Sequence, residues 1–185
     1  MQREKSSLPF GYSELESNPA FNVLIAYDDF EAGKHAKQIY DFLVENLGEE
    51  CEFANQMWKF DVLGVPKLRE MAAHDASEAD IIIISCHAAG DLSKGFKGWT
   101  ELWLQKKCKA IAMVTLLDCP LGWTAEIQKT RTFLAEVARR GGMEFFCEAD
   151  AAMHRDQQDL ASPAFATLVG VFERDTSFSR WGLNE

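Results

Sequence analysis

Residues Phe21–Lys34 read FNVLIAYDDFEAGK: an apolar run that ends on two adjacent carboxylates and passes at once into a helical pattern. The run FNVLIAY has the length of a strand, and near-continuous apolarity at that length suits a strand covered on both faces. Beyond it Phe30, Ala32, Ala36, Ile39, Tyr40, Leu43 and Leu47 recur at helical spacing, with Gly48 placed to end the helix. One of the two acids can cap that helix by accepting backbone N–H groups at its positive end. The second acid then needs its own explanation.

The same alternation continues along the chain. CEFANQMW predicts a second strand, more polar and so nearer a sheet edge, and Pro66 opens a helix to about Ser77 with Leu68, Met71 and Ala72 on one face. DIIIIS predicts the central strand, and Ser93–Lys107 a helix lined by Phe96, Trp99, Leu102 and Trp103. AIAMVTLLD is the fourth strand, Thr124 caps a helix running to Arg140 before Gly141-Gly142, and MEFFCEA is the fifth strand. Strands alternating with helices build βαβ units, hence a parallel sheet with helices on both faces. The expectation is an α/β, three-layer, doubly wound five-stranded sheet of flavodoxin-like order 2-1-3-4-5. It spans residues 21–150, after an N-terminal tail over 1–20 and before a C-terminal helix and extension over 151–185 that pack on the domain.

In such a sheet ligands bind beyond the carboxyl ends of the strands, where the strand order reverses. The side chains delivered there are Tyr27, Asp28 and Asp29 from the first strand, Trp58 and Lys59 from the second, and Ser85, Cys86 and His87 from the third. The fourth adds Thr115, Asp118 and Cys119, the fifth Glu148 and Asp150. Asp28, Asp29, Ser85, Cys86, His87 and Asp118 are the candidate ligand-binding rim. Two carboxylates at a strand end can also hold a hard cation with waters completing its shell, which makes Asp28 and Asp29 a candidate Mg²⁺ site. Cys86 beside His87 raises a thiol nucleophile, but neighbours along a strand face opposite ways, so the base reaches the thiol only past the strand's end.

Composition narrows the classes. A chain of 185 residues, 47% hydrophobic and 26% charged, fits one globular domain with tails. Its formal net charge of −10 argues against nucleic acid and anionic membranes as partners. The apolar runs are too short to cross a bilayer, and the N-terminus lacks a signal's apolar core, so a cytoplasmic location is expected. Five cysteines without CxxC pairing predict reduced thiols, and four histidines without HxxxH or HExxH spacing give no zinc pattern. The phosphate-cradling glycines of dinucleotide and P-loop sites do not occur.

VLIAYDD resembles the opening of response-regulator receiver domains, which share the five-stranded doubly wound fold. The resemblance implies that Asp28 and Asp29 correspond to that family's Mg²⁺-binding acidic pair. It also implies an Asp ending the third strand as phosphoacceptor and a Lys ending the fifth. This chain has Ser85, Cys86 and His87 at the first position, and Glu148 and Asp150 without a Lys at the second. The resemblance, over about 22–150, thus implies a degenerate receiver: a regulatory or protein-binding domain, its protein partner or small-molecule ligand unspecified, that accepts no phosphoryl group. The alternative is a small metal-dependent hydrolase or nucleotide-handling enzyme using the same rim, with Asp28, Asp29 and Asp118 around a metal that activates water.

Overall fold

The computed structural model describes residues 20–48, 52–87, 91–118 and 122–150. The N-terminal tail, the C-terminal helix and extension with Trp181, and Cys119 lie outside the described residues.

Five strands form one sheet, β1 (Ala20–Tyr27), β2 (Glu52–Lys59), β3 (Ile81–His87), β4 (Ala112–Asp118) and β5 (Glu144–Asp150), in the spatial order β2-β1-β3-β4-β5. Every pairing is parallel, and one transverse row runs Trp58, Ala26, Ile84, Thr115, Cys147. This is the expected flavodoxin-like α/β order, and all five carboxyl ends lie along one edge. At the opposite edge, Asp80 binds the start of β1 twice. Its N–H donates to the Asn22 carbonyl at 2.7 Å, and its carboxylate accepts from the Asn22 N–H at 2.8 Å.

The central strands are apolar because both faces are covered. Val23–Ala26 and Ile81–Ile84 are fully buried, each isoleucine contributing about 1.5–3 kcal/mol of transfer free energy as an upper figure. The polar strand β2 takes the edge, with alternating exposure. On one face α1 (Phe30–Leu47) covers Val23, Ile25, Ile81 and Ile83 with Ala36, Ile39, Tyr40 and Leu43. On the other lie α2 (Pro66–Glu78), α3 (Lys94–Leu104) and α4 (Ala125–Gly141).

Local chemistry sets the helix ends. Asp29, Ser93 and Thr124 each accept the N–H three residues on. Gly142 closes α4 in the left-handed region at φ 71°, where a side chain would strain the backbone. Two spacing-based expectations change. Phe30 is 78% exposed, because it is the first helical residue and points off the rim, and Met71 is 49% exposed. In α2 the buried stripe is Ala72, Ala73 and Ala76, small residues that let α2 approach its neighbours closely. Along α3, Phe96, Trp99 and Trp103 are fully buried and continue from Phe60 as an aromatic row, with ring centroids 4.5, 5.3 and 6.0 Å apart.

Candidate functional site at the carboxyl-end rim

The rim forms where β1, β3 and β4 end side by side. Asp28 continues the ladder, its N–H donating to the Ser85 carbonyl at 3.1 Å. Asp29 turns the chain into α1. Its Oδ1 accepts the Ala32 N–H at 3.0 Å, the expected cap, while its Oδ2 lies 3.0 Å from His87 Nε2. On the far side of the ring, His87 Nδ1 lies 2.6 Å from Asp118 Oδ2. One imidazole at the end of β3 thus ties the carboxylates that end β1 and β4.

An ionised carboxylate only accepts hydrogen bonds, and a neutral imidazole donates from one nitrogen. With an acceptor at each ring nitrogen, both must donate, which defines an imidazolium. The electrostatics agree. Burial lowers the His87 pKa, but the hydrogen bond to Asp118 and the charge and hydrogen bond of Asp29 outweigh it, so the pKa is raised above the ordinary 6.5. The Ala32 N–H, against desolvation and with help from the His87 charge, holds the Asp29 carboxyl below its ordinary 3.8.

Beside this arrangement, between β1 and β3 on the α2–α3 side, lies a cleft of about 470 Å³. Asp28, Cys86 and His87 come to it from the strand ends. Phe60, Asp61 and Gly64 come from the 3₁₀ turn Phe60–Gly64, and Asp91, Leu92, Ser93 and Gly95 from the approach to α3 and its first turn. Gly95 is required there: a Cβ would lie 2.9 Å from the backbone of Leu63 and Gly64.

The six expected rim residues therefore divide. Asp29, His87 and Asp118 are bonded together, and Asp28, Cys86 and His87 line the cleft. Ser85 is fully buried within β3, its Oγ without a hydrogen-bond partner among the described residues, and Thr115 is fully buried three residues before the end of β4. Cys86 is 1% exposed and packs with the α2–α3 core. Among the described residues no three His, Cys, Asp or Glu side chains are grouped so as to hold a metal ion. Sequence reading missed Phe60, Asp61, Asp91 and Leu92, which loops bring to the cleft and which carry no local motif.

The parallel order, helices on both faces and a cleft at the strand-order switch define a protein of the flavodoxin-like α/β class. No family model matches the chain, and no curated protein matches it. Among solved structures it is similar to a short-chain flavodoxin associated with a non-canonical PDU bacterial microcompartment, at 10% identity and a TM-score of 0.48, covering 71% of this chain and 81% of that one. Among the described residues no helix is long and apolar enough to cross a membrane.

Proposed function

We propose that this chain is a receiver-like regulatory domain that binds a protein partner or small ligand at its carboxyl-end rim and accepts no phosphoryl group. The observation that carries the reading is His87 held between Asp29 and Asp118. At the end of β3, where an acyl phosphate would need a carboxylate, the chain offers a buried serine, a buried thiol and an imidazolium already bonded on both sides. Asp29 and Asp118 therefore share a resident counter-charge in His87.

Mg²⁺ enters this reading as a competitor of His87. Each Asp29 oxygen already accepts one hydrogen bond, from Ala32 and from His87, so a divalent ion on the Asp28–Asp29 pair would share that carboxylate with a cationic ring and be repelled by it. The hydrolase alternative, with Asp28, Asp29 and Asp118 around a metal, has no specific observation in its favour, since among the described residues no three such ligands are grouped to hold an ion.

The test is incubation with acetyl phosphate and Mg²⁺, followed by intact mass measurement. The reading expects an unchanged mass. A labile adduct of one phosphoryl group would overturn it.

A further inference from the structure

The cleft beside His87 has chemistry of its own. Its floor is apolar: Phe60 is 7% exposed, Cys86 1%, and Leu92 is half-buried. Its walls bring in the carboxylates of Asp28, Asp61 and Asp91 from three different parts of the chain. Two of the cationic groups nearby are already committed. His87 spends both ring N–H groups on Asp29 and Asp118, and Lys59 is paired with Asp61 at 2.6 Å. The capping hydroxyl of Ser93 occupies the Phe96 N–H at the positive end of α3.

A cleft with an apolar floor, spare negative charge and a position at the strand-order switch fits a ligand with a cationic head and a hydrocarbon stem. A metal ion is the poorer match, because no grouping of three ligands exists among the described residues. We propose that the cleft binds an alkylammonium or alkylguanidinium group, with Asp28 and Asp91 taking the charged head and Phe60 and Leu92 the stem. This inference rests on the reading of the rim as a binding surface and names the chemistry it recognises. The group can come from a free organic amine or from a Lys or Arg side chain of a protein partner.

The experiment titrates the full chain with agmatine, with an acetylated and amidated Gly-Arg-Gly-Lys peptide, and with Mg²⁺, following backbone amide shifts and heat. Saturable binding of agmatine, with shifts at Phe60, Asp91 and Leu92, supports a small-amine ligand. Saturation by the peptide alone supports a partner's basic side chain. Asp28→Asn and Asp91→Asn should each weaken binding about tenfold, the loss of one charge-assisted hydrogen bond, while Glu136→Gln on α4 leaves it unchanged. No saturation by either organic cation, a response to Mg²⁺ alone, or binding indifferent to both Asp substitutions overturns the proposal. The shift mapping on the unaltered protein decides the matter even if a variant fails to fold. A phosphoryl adduct with acetyl phosphate strikes at the underlying reading, whereas silence from both organic cations with an unchanged mass strikes at the amine chemistry alone.

Discussion

Asp29 uses its two oxygens for different purposes: one holds the helix start and the other holds His87. This explains the second acid in the sequence pair only in part, because Asp28 turns to the cleft instead. The shifts predict a pH window. A His whose folded pKa lies above its unfolded value of 6.5 contributes stability that is complete below that pH and is lost as pH rises through the folded value. Asp29, whose folded pKa lies below 3.8, contributes stability present above that pH and lost as pH falls through the depressed value. Urea midpoints should therefore fall on the alkaline side in the unaltered protein, and that limb should flatten in His87→Ala. The substitution itself should cost about 1–3 kcal/mol at neutral pH, because the Asp118 side chain, only 10% exposed, loses its donor. An identical alkaline limb in both proteins contradicts the role given to His87.

At the scale of elements, the strands and caps were legible because their signals are local. DIIIIS announces a strand buried on both faces, and Asp29, Ser93 and Thr124 sit where first-turn N–H groups need acceptors. The bridge across the rim was not legible in spacing, since His87 lies 58 residues from Asp29 and 31 from Asp118. Only the strand order brings them together, and the rule that ligands gather at strand ends named all three without saying that they bond to each other. Helical periodicity misplaced Phe30 and Met71 because spacing gives a face but not where the neighbouring elements stop. The helix α3 offers a paired test. Ala at Gly95 would meet the Leu63–Gly64 backbone and should destabilise by about 1–3 kcal/mol. Ala at Gly98 meets the Arg69 side chain at an ordinary 3.6 Å and should stabilise by about 0.5–1 kcal/mol. Equal effects of the two substitutions in denaturant melts would show that α3 does not seat on the 3₁₀ turn as described.

For the whole molecule, the two faces of the sheet differ among the described residues, with three helices on one and α1 on the other. On the α1 face Ala112, Val114 and Leu116 of β4 are at most 1% exposed, while α1 lies over β1 and β3. The claim on which the functional reading depends is that a doubly protonated imidazole joins the ends of β1, β3 and β4. Long-range proton–nitrogen NMR of the His87 ring tests it most directly. At pH 6.5, where an ordinary histidine is half protonated, the account predicts that both ring nitrogens of His87 resonate predominantly as protonated and that Asp29→Asn lowers the pH at which this is lost. A ring with one protonated and one bare nitrogen at that pH, unchanged by Asp29→Asn, would contradict it.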